Sequence, residues 1–264
     1  MGQVFDWSNE QYHAHAAVSR SMLQELKKSP YHYYYKYLSG LYEQEELTPS
    51  LIIGDCVHTC FLEPEKANDR YIQAPDINKR TKAGKEEWAA FEEEHKDKII
   101  MTEHQMDETS KMVASLINNE YAVGLVENAQ IEKSILFAHE TGIQCKVRPD
   151  AWRGELVVDL KTTADASYRA FQNSAYKFGY YLQAGMINQA LKSLDIEMQR
   201  FVFVCVENKE PYATAVYILD RDAIEYGVAQ FDDLMGRLAK HVETNSWPAY
   251  DVQVLHLPNY ANYD

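Results

Sequence analysis

The chain has 264 residues, of which 46% are hydrophobic, enough to bury a full core in one domain, 1–264, rather than two. Its 40 acidic residues outnumber its 26 basic ones, and the net charge of −14 argues against a broad basic surface for nucleic acid. No run of about 18 apolar residues and no signal-peptide pattern occurs, so we expect no membrane span and a cytoplasmic location. The four cysteines lack zinc-site spacing and are expected to be reduced.

The first 120 residues are predicted to be mainly helical. Residues 21–24 resemble a capping box that opens an early helix, and Pro30 suits the start of the next one. The tyrosine-rich segment 31–37 is interpreted as half-buried helix surface in preference to a platform for stacking bases. Further helical patterns lie at about 50–63, 84–96 and 103–118.

Residues 121–264 have the pattern of an α/β core. Three successive strands are predicted to form an antiparallel meander, at 131–137, 143–148 and 156–161. A long helix then follows over about 168–192. Two buried strands, 200–206 and 213–219, flank a turn, and a helix over about 222–243 closes the domain.

The third strand of the meander carries the most informative polar residues. Because side chains alternate across a strand, Asp159 and Lys161 share one face while Leu160 points into the core. Asp150 follows Pro149, which suits the end of a strand. We expect Asp150 to reach Asp159 if the hairpin between them is bent or bulged.

Two carboxylates and a lysine at this spacing suit phosphate chemistry. Aspartate oxygens are hard ligands that hold Mg²⁺ or Mn²⁺, and a lysine ammonium can orient water or stabilise charge that develops on a phosphate. An exposed hairpin with an ordinary Asp–Lys pair explains the spacing equally well.

Several ordered blocks of the sequence resemble the PD-(D/E)xK nuclease superfamily, and within it the RecE-type exonucleases of the RecB-like branch. The blocks are residues 5–6, 12–13, 18–21, 54–58, 62–65, 78–87, 148–150 and 159–165, Gln183, and residues 247–249. The resemblance implies a restriction-endonuclease-like α/β core, in which helices flank a central mixed sheet, with a helical N-terminal elaboration over 1–120 and the nuclease core over 121–264.

The resemblance also implies a role for each matched residue. Asp150 and Asp159 would be ligands of Mg²⁺ or Mn²⁺, the Leu160 backbone carbonyl a further ligand, and Lys161 the catalytic lysine. His58 would be the metal-binding histidine. Taken alone, His58 lies in an apolar helical segment, where a structural histidine is the more common interpretation.

Two further positions follow from the resemblance. Glu132, on the first strand of the meander, would act on the metals directly or through water, although a solvated ion pair suits it equally well. Gln183 matches a glutamine near the scissile phosphate, but Ile187 stands where a tyrosine often follows. Tyr176, Tyr180, Gln183 and Ile187 are predicted to share one face of the long helix, so Tyr180 or Tyr176 would replace that tyrosine, or the tyrosines would be core packing residues.

The predicted function is that of a Mg²⁺-dependent 5′-to-3′ exonuclease on double-stranded DNA ends. It would leave 3′ single-stranded tails for a RecT-type annealing protein and act as a homo-oligomeric ring of three or four subunits. Four cations within seven residues would grip the DNA backbone, although an exposed loop is the plainer interpretation; they are Lys79, Arg80, Lys82 and Lys85. A structure-specific or restriction-like endonuclease and an inactive DNA-end-binding protein are the alternatives.

Overall fold

The computed structural model of the protein describes residues 1–43 and 47–257, which contain eleven α-helices and ten strands. The helices are α1 (Asn9–Ala14), α2 (Arg20–Lys28), α3 (Pro30–Tyr37), α4 (Pro49–Leu62), α5 (Ala67–Arg70), α6 (Lys82–Glu94), α7 (Glu103–Ile117), α8 (Glu120–Val126), α9 (Tyr168–Lys177), α10 (Tyr180–Lys192) and α11 (Arg221–Thr244). The strands are β1 (Gln3–Phe5), β2 (Tyr71–Gln73), β3 (Ile99–Met101), β4 (Gln130–Ile131), β5 (Ser134–Ala138), β6 (Gln144–Val147), β7 (Ala151–Arg153), β8 (Leu156–Thr163), β9 (Arg200–Glu207) and β10 (Thr214–Ile218). No helix of the described ranges is long and apolar enough to cross a membrane.

A five-stranded mixed sheet forms the centre, in the order β10-β9-β8-β7-β4. Strands β8 and β9 run parallel, and the other neighbours run antiparallel. Helices cover both faces of this sheet. Alternate residues of its central strands therefore pack into two separate hydrophobic cores, one on each face. Phe201 and Phe203 pack on the side of α10 and α11, whereas Val202 and Val204 pack on the side of α4 and α7. The predicted fold, a mixed sheet flanked by helices, is therefore confirmed.

The predicted meander is present, but its first hairpin bends between two sheets. Ile131 pairs with Ala151 in the central sheet, and Ile135 pairs with Val147 in a three-stranded sheet of order β1-β5-β6. The register is the same on both sides of the bend. At the bend Glu132 adopts a φ of 52°, a left-handed conformation that non-glycine residues rarely take, and its N–H donates to the Asp150 carbonyl at 3.0 Å. This bend lies in the first hairpin, not between Asp150 and Asp159 where a bend was expected, and it places Glu132 and Asp150 on opposite strands at one point.

The N-terminal part is helical as predicted, with three strands among its helices. β1 joins the three-stranded sheet by pairing with β5, and β2 pairs in parallel with β3. The predicted helix start at residues 21–24 is wrong, because α2 begins at Arg20 with Ser19 as its N-cap. Pro30 begins α3 as predicted.

The single long helix predicted over 168–192 is wrong. Two helices, α9 and α10, occupy this range, and they are separated at Gly179, which takes a φ of +69°. The left-handed conformation favours glycine here, whereas the side chain of Gln24, whose Nε2 lies where a Cβ would be, is flexible enough to move aside. The break reorients the second helix, which carries Gln183.

Candidate active site

Three side chains from distant parts of the chain converge beside the bend. They are His58 on α4, Glu132 at the bend and Asp150 just before β7, and one ligand atom of each lies within 4.8 Å of the others. Nδ1 of His58 is 3.5 Å from Oδ2 of Asp150. Within residues 1–43 and 47–257, no other group of three His, Cys, Asp or Glu side chains has this geometry.

The fold fixes each of these side chains through backbone contacts. The Leu160 N–H donates to Oδ2 of Asp150 at 2.7 Å, which ties the carboxylate to the middle of β8. Since the N–H and C=O of a strand residue point the same way, the Leu160 carbonyl also faces the cluster, and its role as a ligand stays a prediction. Helix α4 brings His58 close because it approaches β8 at Gly54, where a Cβ would lie 3.3 Å from Thr162 Oγ1. His58 is therefore an inward-facing side chain of a helix packed against β8.

Asp159 lies outside this three-residue cluster. It is fully buried, and its Oδ2 contacts the ammonium of Lys161, which is 16% exposed. Its other oxygen, Oδ1, accepts a hydrogen bond from Nε2 of Gln183. The predicted site residues Asp159, Lys161 and Gln183 are thus brought together as a second group next to the first.

Burial and like charges shift the pKa values of these groups. For Glu132, burial first and then the neighbouring Asp150 carboxylate raise the pKa to about 8. For Asp159, burial followed by Asp150 raises the pKa to about 6, and burial also raises the pKa of Asp150. Burial and then Lys161 lower the pKa of His58 to about 4, so it is neutral and free to bind a cation.

The charge of Lys161 is secured by the same neighbours. Burial favours the neutral amine, but the carboxylates of Asp159 and Asp150 outweigh it, so the pKa of Lys161 is raised above its usual value. Lys161 is therefore an ammonium at neutral pH, able to donate hydrogen bonds but not to act as a base.

The donor set fits a divalent metal ion. Two carboxylates, one imidazole and one inward-facing carbonyl are hard or borderline ligands. The Asp150 carboxylate contributes to the raised pKa of Glu132, so the two charges repel each other in the metal-free protein. A bound cation would remove that repulsion, which is the electrostatic property expected of a metal site.

The two helix tyrosines have different environments. The ring of Tyr180 lies 4.9 Å from Nζ of Lys161, so Tyr180 borders the site. Tyr176 lies on the separate helix α9 and is 62% exposed, so the prediction that it shares a face with Gln183 is wrong. Ile187 is buried in the core and also lines the cavity beside Gln183.

The basic segment Lys79–Lys85 lies at the start of α6 and is exposed apart from Gly84. Nζ of Lys79 lies over the ring of Trp88, and Nζ of Lys82 is 3.9 Å from Oε1 of Glu86. Arg80 and Lys85 are exposed. The segment makes local contacts, and its role in binding DNA stays a prediction.

Two arginines near the site were not singled out in the sequence: Arg20 belongs to a matched block and Arg70 to none. Nη1 of Arg20 donates to the Phe178 carbonyl at 2.8 Å. Burial and the attraction between Asp150 and Lys161 have larger effects on the pKa values of these two groups, and the positive charge of Arg20 lowers both pKa values. Arg70 donates to both oxygens of Asp55, at 3.0 and 3.3 Å, one turn before His58. Only the tertiary packing of α2 and α5 brings these two arginines near the site.

Comparison with known proteins agrees with this geometry. The family model described as "PDDEXK-like domain of unknown function (DUF3799)" matches residues 19–255. A solved structure from Eubacterium rectale, described as a "putative exonuclease", is 15% identical, covers 96% of each chain and superposes with a TM-score of 0.67. At this identity the likeness shows the fold alone. A second structure, that of SSO0001, is 16% identical over 69% of this chain and 85% of its own, but its TM-score of 0.29 carries no argument. No curated protein matches.

Proposed function

Because the chain belongs to the PDDEXK-like family of unknown function, whose model matches most of its length, we propose that it is a Mg²⁺-dependent exonuclease that degrades double-stranded DNA from its ends. One observation carries the proposal: the metal-ligand cluster of His58, Glu132 and Asp150 lies beside a buried Asp159–Lys161 pair. The E. rectale protein, which shares the fold over nearly its whole length, is itself described as a "putative exonuclease".

In the proposed reaction, water attacks the phosphodiester in line. When bound, Mg²⁺ supplies positive charge at the phosphoryl oxygens and lowers the pKa of the attacking water. His58, Glu132 and Asp150 hold the cation, with the Leu160 carbonyl facing the same space. The Lys161 ammonium orients the water or neutralises charge on the phosphate, and Gln183 fixes the Asp159 carboxylate that positions Lys161.

The finer features of the proposal rest on the resemblance of the sequence to RecE-type exonucleases. We propose 5′-to-3′ polarity, 3′ single-stranded tails as product, and transfer of those tails to a RecT-type annealing protein. A ring of identical subunits around DNA would suit a chain whose net charge is −14, because an acidic exterior repels DNA that lies outside the channel.

Digestion of a linear duplex labelled at one 5′ end tests the proposal. With Mg²⁺ the wild-type protein should release labelled nucleotides before the strand shortens from its other end, and EDTA should stop the reaction. Asp159→Ala should abolish release, because the Lys161 ammonium loses its partner. Nucleotide release by this variant at the wild-type rate would refute the assignment of the site.

Two further measurements, on a circular plasmid and on duplex ends, separate the two alternatives. Cleavage of a covalently closed circular plasmid would identify an endonuclease, because an exonuclease needs an end. Binding of duplex ends without release of nucleotides in Mg²⁺ or Mn²⁺ would identify a DNA-end-binding protein that lacks catalysis.

A further inference from the structure

A cavity of about 850 Å³ adjoins the candidate active site on the side of α10. Its walls are residues 12–16, the start of α2, the end of α3, part of β6, and the face of α10 that carries Gln183. The volume is within the range of small-molecule and cofactor sites. Because Gln183 also donates to Asp159, the cavity and the candidate catalytic group share one side chain.

The charge of the cavity is opposite to that of the whole protein. The chain has 40 acidic and 26 basic residues, yet, among residues 1–43 and 47–257, the cavity is lined by two lysines, two arginines, two histidines and no acidic residue. The four cations are Arg20, Lys36, Lys146 and Arg148. This distribution suits an anionic ligand.

Of these cations, Arg20 has the most donor capacity left. The other three are held by protein groups: Lys36 by Glu25, Lys146 by the carbonyls of Tyr12 and His15, and Arg148 by the carbonyls of Trp7 and Ser8 and the side chains of Asn9 and Ser134. Arg20 makes a single hydrogen bond within the described residues, from Nη1 to the Phe178 carbonyl. A guanidinium has five N–H donors, so Arg20 can also bind a phosphate.

Aromatic side chains supply the rest of the lining. Four tyrosines and two histidines line the cavity: Tyr12, Tyr33, Tyr37, Tyr42, His13 and His15. Tyr33 is buried in the core, whereas the ring of Tyr42 is half-exposed, with Nζ of Lys36 at 5.1 Å from its centre. Aromatic rings beside a cation form the kind of surface on which nucleic-acid bases stack.

We propose that this cavity holds an unpaired nucleotide of the strand being cut, with a phosphate on Arg20 and a base against Tyr42. The inference deepens the proposed nuclease function and rests on it. Arg20, Tyr42 and Gln183 lie within the segment that the family model matches, whereas one wall of the cavity, residues 12–16, precedes it. A strand seated here next to Gln183 must be unpaired from its complement before it is cut.

Binding of a fluorescein-labelled thymidine hexanucleotide tests the cavity directly. Fluorescence anisotropy is recorded with Ca²⁺ in place of Mg²⁺, and a gel confirms that the oligonucleotide stays intact. Arg20→Ala and Tyr42→Ala should each weaken binding about fivefold or more, the lower bound for losing one stacked base or phosphate contact. Tyr42→Phe should bind within about twofold of wild type, because the stacking ring remains.

A matched control is Arg169→Ala, which removes an exposed cation of α9 that does not line the cavity. It should bind like wild type. Thermal unfolding of each variant checks the fold, since Arg20 also tethers the α9–α10 break, and Tyr42→Ala tests the cavity without that tether. Wild-type affinity in both Arg20→Ala and Tyr42→Ala would overturn the proposal, as would equally tight binding of free thymidine monophosphate, which would mark a site for released nucleotide.

The outcome is separable from that of the proposed function. If the wild-type protein digests duplex DNA but the cavity variants bind the hexanucleotide normally, the cavity inference fails while the nuclease stands. If the variants lose binding and no preparation releases nucleotides in Mg²⁺ or Mn²⁺, a single-strand binding site remains and the nuclease assignment fails. We expect Arg20→Ala to slow digestion of blunt duplex more than of a duplex with a frayed end.

Discussion

The metal-ligand cluster and the basic segment 79–85 both gather like charges, but they do so in different ways. Glu132 and Asp150 are brought together by the bend of a hairpin and held there, although burial raises the pKa of both and repulsion raises that of Glu132 further. The basic segment is clustered by sequence alone, stays exposed, and satisfies its charges locally, as Lys82 does with Glu86. A charge cluster that folding maintains at an electrostatic cost is the stronger indication of function.

Replacement of Asp150 by asparagine should have the largest effect on the first region. The asparagine side chain is nearly the same shape and can still accept the Leu160 N–H, but it removes a charged ligand. We expect Asp150→Asn to lose nuclease activity by at least about 10³-fold, in the range for removing a key electrostatic group. The metal-free variant should be at least as stable as wild type, because repulsion with Glu132 is gone. A variant that unfolds at lower temperature in EDTA would contradict the electrostatic cost described above.

Lys161 and Gln183 should give graded losses, because one reaches the reacting groups and the other acts through Asp159. Lys161→Met keeps the length of the side chain and removes the ammonium, so we expect a loss of about 10²-fold. Gln183→Ala leaves the charges in place and frees one oxygen of Asp159, with an expected loss of about tenfold. Steady-state kinetics on linear duplex should show both losses in kcat. Equal losses in the two variants would contradict the indirect role of Gln183.

The helices and the central sheet could be predicted from the sequence because their signals are local. Apolar periodicity gave α4, α7 and α11 within a few residues, and β-branched runs gave β8 and β9. The break at Gly179 was missed because the helical periodicity continues through it and an isolated glycine is tolerated in such a pattern. The helix is interrupted at Gly179, which takes a left-handed conformation, and Arg20 and Gln24 of α2 donate to the Phe178 carbonyl beside it, contacts that no local pattern contains.

The site shows the same division. Asp150, Asp159 and Lys161 could be singled out because strand alternation and hairpin pairing place them on neighbouring strands. Glu132 could not, since its position depends on a left-handed backbone where the chain passes from one sheet to another. His58 needed the packing of α4 on β8, and Arg20 the packing of α2 on the α9–α10 break. The resemblance to a nuclease family named Glu132 and His58, but from the pattern of residues alone, ligands on separate elements become visible only when the fold is known.

Magnesium should stabilise the protein through the first region alone. A ligand at a hundredfold excess over its Kd adds about 2.7 kcal/mol to the free energy of unfolding, provided that it binds only the folded state. We expect a rise in the thermal midpoint with Mg²⁺ for wild type and a much smaller rise for His58→Ala. Lys85→Gln, in the basic segment, should respond like wild type. An undiminished rise in His58→Ala would remove His58 from the ligand set.

The pH dependence of stability in EDTA isolates Glu132. Its pKa is about 8 in the folded protein, above the ordinary value near 4.5, so the folded state keeps a proton that the unfolded chain has released. The resulting stability is present at low pH and is lost as pH rises towards 8. Asp159 and His58 titrate below about 6.5 and act with opposite signs. The hydrogen bond with Cys56 lowers the pKa of Cys60 to about 7, so Cys60 would titrate between 6.5 and 8 with a sign opposite to that of Glu132. All proteins in this measurement therefore carry Cys60→Ser, which leaves the window from 6.5 to 8 to Glu132.

Between pH 6.5 and 8 we expect the free energy of unfolding to fall by about 1 kcal/mol. A fully buried group would lose roughly 1.4 kcal/mol per pH unit, but the side chain of Glu132 is 32% exposed, and solvent weakens the effect. Glu132→Gln should abolish the slope, and stabilisation of wild type by Mg²⁺ should grow with pH as the cation displaces the proton. Urea unfolding at four pH values measures both. A stability that does not change with pH before Glu132 is replaced would show that Glu132 is ionised throughout. The repulsion between Glu132 and Asp150 would then be weaker than their positions indicate.

The smallest effects should come from the basic segment, and they distinguish a DNA grip from an exposed loop. Lys82 is already paired with Glu86, whereas Lys85 is exposed on the next turn, so the two lysines form an internal comparison. If the segment binds the DNA backbone, Lys85→Gln should weaken duplex affinity a few-fold and lower the salt slope of log K by about 1, with a smaller change for Lys82→Gln. Titrations at several salt concentrations measure the slope. Unchanged slopes in both variants would show that the basic segment is an exposed loop that does not contact DNA. The phosphate contacts would then have to come from residues near Arg20 and from the metal-ligand cluster.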